Sequence, residues 1–241
     1  MQSAAQTEIS ITESRFFARV FYVFFGLAIL SAAINLAGRY WGPTIAMGGH
    51  TDDKTKREIV IGNDVLAIPS NMIRFRAQRR NGVANRVDLY LKWPEMTGYS
   101  AATRQDFNFT GPKREILFLS IEPRTMSRDM SGRYPPIYSA LIEQPGKPGP
   151  GGLTVYSFRQ TSGYIDEELV VSSAGGDNPD FVARCLEESI AKDTVSACER
   201  DIQFGDGLQL LYRFPRDLLG QWQALDGAVR SFAAGHLASA R

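Results

Sequence analysis

Apolar residues follow three different spacings along this chain, and each spacing predicts a different element. From Val20 to Ala37 they are nearly continuous: VFYVFFGLAILSAAINLA carries no charge, and its polar members, Ser31 and Asn35, fall in the second half. With a rise of about 1.5 Å per residue the run reaches roughly 27 Å as a helix, close to the hydrocarbon thickness of a bilayer. Tyr22, Tyr40 and Trp41 stand near its ends, where rings sit at headgroup level. The run therefore predicts a transmembrane helix over 20–37. Being apolar on every face counts against a core helix, and Asn35 spoils the small-x-small pattern that a signal peptide would need before a cut after Ala37.

The second spacing is alternation. In NRVDLYLKWP, residues 85–94, Val87, Leu89, Leu91 and Trp93 fall on one face and Arg86, Asp88, Tyr90 and Lys92 on the other, which predicts a strand with one buried and one wet side. EIVIGNDVLAIP, residues 58–69, predicts two short strands around an Asn–Asp turn, the second stopped by Pro69. REILFLSIEP, residues 114–123, is almost uninterrupted and predicts a deeper strand, and PPIYSALIE, residues 135–143, is a further strand candidate. A meander follows over 153–160, 164–173, 180–188, 195–204 and 208–214, with SG, GGDN and GDG supplying the positive-φ positions of its turns. Before it, QPGKPGPGG has proline or glycine at seven of its nine positions, 144–152. That stretch reads as a long hairpin loop inside one domain, with a division into two domains as the alternative.

The third spacing begins after Pro215. Leu218, Trp222, Leu225, Val229 and Phe232 recur at steps of four, three, four and three, and Asp217 suits the first turn of a helix. Such a stripe needs an apolar partner, and the preceding sheet is the nearest one. Gly220 and Gly227 weaken the helix by roughly 1 kcal/mol each relative to alanine, so packing must hold it. The fold class is α+β: an N-terminal transmembrane helix, then a mainly antiparallel β domain with a C-terminal amphipathic helix packed on the sheet. The predicted segments are a cytoplasmic tail at 1–19, the span at 20–37, a stalk at 38–57 and the β-rich domain at 58–241.

Basic residues leave the topology open, because Arg15 and Arg19 precede the span while Arg39, Lys54, Lys56 and Arg57 follow it. Cys185 and Cys198, the only two cysteines, lie 13 positions apart on neighbouring predicted strands, as expected of one disulfide in an oxidising compartment. The expectation is a bacterial inner-membrane protein with its C-terminal domain in the periplasm.

With 27 basic and 26 acidic residues the chain carries a net charge of +1, which does not announce nucleic acid as a partner. Two histidines and two cysteines limit metal chemistry, and His50 and His236 read as solvent-exposed. Ser189-Ile-Ala-Lys192 matches a serine-x-x-lysine motif by letter but lacks its companion elements, and Asp166, Glu167 and Glu168 read as a solvated edge. No phosphate-cradling loop or redox CxxC spacing occurs, so no cofactor is expected. The most suggestive patch is SNMIRFRAQRRNG, where Arg74, Arg76, Arg79 and Arg80 fall within seven positions. As a strand it would put Arg74, Arg76 and Arg80 on one face, toward anionic headgroups or an acidic partner surface. In the span, Gly26, Ser31 and Ala33 offer close packing and Asn35 a hydrogen bond across a helix interface.

VFYVFFGLAIL, VIGNDVLAIPSNMIR, RVDLYLKWP and LQLLYRFPRDLLGQW together resemble uncharacterised membrane-anchored proteins of proteobacteria with one N-terminal span and a periplasmic domain. The resemblance implies location and architecture and assigns no catalytic residue. The expected role is an accessory or interaction subunit that binds another envelope protein, through a membrane complex or as a homo-oligomer joined by its span in the lipid bilayer. An envelope polysaccharide or cell-wall hydrolase and a small-ligand sensor are the rival readings.

Overall fold

The structure is a computed structural model that describes residues 12–46, 48–108, 115–172 and 178–238. The first eleven residues of the predicted tail, the rings of Tyr40 and Trp41 and most of the GGDN turn lie outside the described residues and side chains. The chain forms two units, 1–49 and 50–241.

The first unit holds one helix, Thr12–Ala46, which continues past Ala37 into the segment read as a stalk. Within it Arg15–Arg39 is long and apolar enough to cross a membrane. Its apolar side chains, from Phe16 to Leu36, are exposed.

Among its described residues the second unit has eleven strands: β1 (Lys56–Ile61), β2 (Asp64–Pro69), β3 (Gly82–Val83), β4 (Val87–Lys92), β5 (Ile116–Pro123), β6 (Lys147–Pro148), β7 (Leu153–Ser157), β8 (Glu167–Ser172), β9 (Val182–Leu186), β10 (Cys198–Phe204) and β11 (Leu208–Phe214). β1, β2 and β3 form a small sheet in the order β2-β1-β3, and the rest form one sheet in the order β4-β5-β11-β10-β9-β8-β7-β6. The predicted meander runs consecutively from β7 to β11, and β11 then pairs with β5, far back in the chain. Within 144–152, Lys147 and Pro148 join that sheet by pairing with Val155 and Thr154.

The alternation read at 85–94 sets the two faces of the large sheet. Val87, Leu89 and Leu91 stand in register with Ile121, Leu119 and Leu117, and Leu210 and Tyr212 continue the same face on β11. All are buried in the main core. A turn over Arg216–Gln221 leads into the C-terminal helix, Trp222–His236, and the two cover this face, the turn with Leu218 and the helix with Trp222, Leu225, Val229 and Phe232. Trp222 also donates its indole N–H to the Gly151 carbonyl at 3.0 Å, so the proline- and glycine-rich loop anchors the start of the helix. The small sheet joins the same core through Ile59, Ile61, Leu66 and Ile68. It is fastened at the β10–β11 turn, where Asp64 accepts a hydrogen bond from the Asp206 N–H at 2.8 Å. A side chain at Gly205 would place its Cβ 2.8 Å from that carboxylate, in a conformation with φ of +59° that favours glycine in any case.

Charge is also buried on the covered face. Arg200 is fully buried and donates to Asp226 on the C-terminal helix (2.9 Å), Ser131 Oγ (2.8 Å) and the carbonyls of Val182 (2.8 Å) and Asp180 (3.0 Å). β9 and β10 are in register at Cys185–Cys198 and Arg184–Glu199, and their ladder stops there. Past that point the Arg200 guanidinium donates to the carbonyls of Val182 in β9 and of Asp180 just before it, which a continued ladder would have used. Cys185 and Cys198 are joined in a disulfide one rung before the ladder ends.

Three expectations are corrected. Residues 135–143 form no strand: Tyr134–Tyr138 make a wide helical turn and Ser139–Leu141 a further one, because Pro135 and Pro136 lack the N–H donors a ladder requires. Residues 70–82 likewise form tight helical turns at Ser70–Met72 and Arg76–Gln78, so strand alternation does not bring their arginines to one face. The first hairpin reverses at Gly62–Asn63 rather than at Asn–Asp, with Gly62 at φ 60°.

Candidate functional site

The second face of the large sheet is covered at its two ends and open in between. At one end Tyr138 and Ile142, from the helical turns after Arg133, pack on Leu169, Val171 and Val182. At the other end Phe107, from the one-turn helix Arg104–Phe107, packs on Tyr90 and Ile116 together with Tyr99. His50 joins this cluster, which corrects its reading as a solvent-exposed stalk residue. Its ring stacks on Tyr99 with centroids 4.6 Å apart, Nδ1 lies 3.0 Å from the Tyr90 hydroxyl and Nε2 lies 3.3 Å from Asn108 Oδ1. Burial lowers the His50 pKa and pushes the Tyr90 hydroxyl up to about 12. Tyr90, read as part of the wet face of its strand, is therefore buried. His236 is also half-buried, against the Phe232 ring at 4.1 Å.

Between the two covers the sheet presents polar side chains from β4, β5, β11 and β10. Asp88 Oδ1 accepts from Arg86 Nε and Ser120 Oγ, both at 2.8 Å, and Oδ2 accepts from Gln78 at 3.0 Å. Gln78 returns the contact by accepting from the Asp88 backbone N–H at 2.9 Å. Burial alone would raise the Asp88 carboxyl, but these donors outweigh it and hold its pKa below the ordinary value. Arg86 also faces Glu122 at 3.6 Å, Gln209 donates to Glu122 at 2.9 Å, and Arg213 donates to Glu199 at 3.1 Å. Glu199 pairs in turn with Arg184, which reaches Glu167.

A cavity of about 350 Å³ opens on this face, lined by Arg74, Arg86, Asp88, Phe118, Ser120 and Arg213 among others, with Thr194–Ser196 at its edge. A second cavity, of about 290 Å³, adjoins it at Arg86 and includes Arg80. The predicted arginine patch is thus divided. Arg74 lies over the Phe118 ring at 4.8 Å and lines the larger cavity, whereas Arg80 lines the smaller. Arg79 is spent on structure, donating to the carbonyls of Ile73 (3.0 Å) and Arg74 (3.1 Å). Arg76 is exposed and lines neither cavity. Arg86, Ser120 and Arg213 were not singled out from the sequence, although Arg86 and Asp88 stood on the polar side of the alternating strand.

The fold has a solved counterpart. Smlt3025, an immunity protein of the Stenotrophomonas maltophilia type IV secretion system, superposes with a TM-score of 0.52 at 15% identity, over 79% of this chain and 96% of its own. The iron-regulated outer membrane lipoprotein FrpD of Neisseria meningitidis aligns over 76% of this chain and 95% of its own with a TM-score of 0.40 and 12% identity, an overlap too loose to bear on the fold. No protein-family model and no curated protein matches the chain.

Acidic side chains do not gather into a metal-binding set: among the described residues no group of three or more His, Cys, Asp or Glu is placed to hold an ion. Asp166, at φ 58°, precedes β8, and its neighbours are tied into the sheet, Glu167 with Arg184 and Glu168 with Arg216. Ser189-Ile-Ala-Lys192 falls on a one-turn helix between the two cysteine strands.

Proposed function

We propose that this chain is a membrane-tethered accessory subunit: a single span at 20–37, an extracytoplasmic β domain, and a binding face for another envelope protein on the open middle of the large sheet. One observation carries the reading: this sheet, sealed on one side by the C-terminal helix, leaves a polar groove between two apolar covers on the other. An antiparallel sheet can stay wet on one side without any partner. What favours recognition is the groove's content, an aromatic floor with guanidinium groups around it, the side-chain types enriched where proteins bind proteins. The immunity protein of similar fold supports a binding role in the same sense. The disulfide supports an oxidising location, and the exposed apolar helix supports a bilayer anchor.

A polysaccharide hydrolase needs two carboxylates converging in a cleft. Asp88, the carboxylate of the larger cavity, is neutralised by Arg86 and has its pKa held low, the opposite of what a general acid requires.

Mild detergent extraction followed by native electrophoresis tests the proposal. A partner should migrate with the unaltered chain and be lost when Arg74 is changed to Glu or the span is replaced by an unrelated apolar helix. Recovery of the unaltered chain solely as a free monomer, with no crosslinked partner in native membranes, contradicts it.

A further inference from the structure

We infer that the groove takes an extended, carboxylate-bearing segment of the partner protein, with Arg74 as the anchor; this rests on the binding role proposed above. The larger cavity is lined by three guanidinium groups, Arg74, Arg86 and Arg213, against one carboxylate, Asp88. The adjoining cavity adds Arg80 and no carboxylate. The chain as a whole is nearly neutral, at +1, so this excess is local. Two of the four arginines are already engaged, Arg86 by Asp88 and Glu122 and Arg213 by Glu199. Arg74 and Arg80 have no carboxylate partner among the described residues.

Arg74 is also held in place. Its Cζ lies over the Phe118 ring at 4.8 Å and over the Phe75 ring at 5.1 Å, cation–π contacts that leave its N–H donors for a planar acceptor. Stacking restricts the side chain before any ligand arrives, which lowers the entropy lost on binding. A carboxylate accepts such a fork through two parallel hydrogen bonds. Leu211 and Phe118 supply apolar surface beside it, so an acidic residue flanked by an apolar one fits better than a free anion. Two cavities meeting at Arg86 suit a segment several residues long.

The test uses the full chain in phosphatidylcholine nanodiscs and a fluorescent decapeptide of alternating Glu and Val, compared with its Gln counterpart. The Glu peptide should bind at least about tenfold more tightly. Arg74→Ala should weaken it by about tenfold, and Arg74→Lys, which keeps the charge but loses the flat stacked fork, should fall between. Arg76→Ala, outside both cavities, should leave binding unchanged. Equal binding of the two peptides, or an Arg76→Ala loss as large as that of Arg74→Ala, overturns the inference. So does loss of peptide binding when the disc lipid is changed to phosphatidylglycerol, since headgroups would then fill the groove. A native partner that co-purifies with Arg74→Ala as well as with the unaltered chain overturns the acidic segment and leaves the binding role standing. Absence of any partner from the unaltered chain overturns both.

Discussion

Arg200 and Arg74 lie on opposite sides of one sheet and are put to opposite uses. Under the C-terminal helix Arg200 is fully buried, stacked on Phe181 at 4.8 Å, and bonded to one carboxylate, one hydroxyl and two carbonyls. Over the open face Arg74 is exposed and stacked, with no carboxylate of its own among the described residues. A buried guanidinium is tolerable only when its donors are met within the protein, whereas an exposed one can wait for a partner. Substitutions on the covered side should therefore unfold the domain, and those on the open side should change what it binds.

The largest effect is expected at Arg200. Arg200→Ala leaves Asp226 buried with only Arg230 and Tyr212 as partners and removes the guanidinium donor to the Val182 carbonyl, a loss of about 3–5 kcal/mol in urea unfolding. Replacing Arg200 and Asp226 together with Met and Leu should restore part of that loss, and no restoration would show that the pair is not the reason for the cost. Trp222→Ala follows, at about 3 kcal/mol or more, because it removes both a buried ring and the hydrogen bond to Gly151. Next comes Cys185→Ser with Cys198→Ser, at about 3 kcal/mol for a loop of this size. The same variant under reducing conditions should show no further loss.

Acid should weaken the domain in steps. Burial lowers the pKa of His50 and of His236 below the ordinary 6.5, so the stability they contribute is complete above that value and is lost as pH falls beneath it. Asp226 follows further down. Burial alone would raise its carboxyl, but Arg200, Arg230 and Tyr212 outweigh it, and the resulting lowered pKa gives stability that persists until pH falls through the folded value. Asp201, raised chiefly by burial despite its pairing with Arg133, acts in the opposite direction in the carboxylate range. Urea midpoints should therefore decline from pH 7 to pH 5, and a His50→Gln, His236→Gln chain should show a flatter profile over that window.

The smallest effect on stability is expected on the open face. Arg74→Ala and Arg213→Ala should each shift unfolding by no more than about 0.5 kcal/mol, since exposed pairs contribute little. Their effect belongs in partner binding.

Local patterns carried much of this architecture. The strict alternation at Val87–Trp93, the four-three spacing from Leu218 and the paired cysteines each report a period or a separation that a single element imposes, and those elements are present. The errors arise where the deciding contact is distant. The apolar run at 135–143 predicts a strand, but Pro135 and Pro136 lack the N–H donors of a ladder. The arginine segment was given a strand's alternation although its turns are set by the Arg74 backbone N–H donating to the Asp88 carbonyl and the Arg79 side chain donating back to the Ile73 carbonyl. Nothing near His50 in sequence forecasts Tyr90, Tyr99 and Phe107. The candidate groove was half visible: Arg74 and Arg80 stood out by density and Arg86 by its side of the strand. Arg213 joins only through the β5–β11 pairing, which no local pattern encodes.

Site-specific photocrosslinking in native membranes tests the central claim most directly. A crosslinking side chain at Ser196, on the rim of the larger cavity, is compared with one at the exposed Ser231 on the C-terminal helix. The account predicts a discrete protein adduct from Ser196 and none from Ser231. Adducts from Ser231 alone, or lipid adducts only from Ser196, would contradict it.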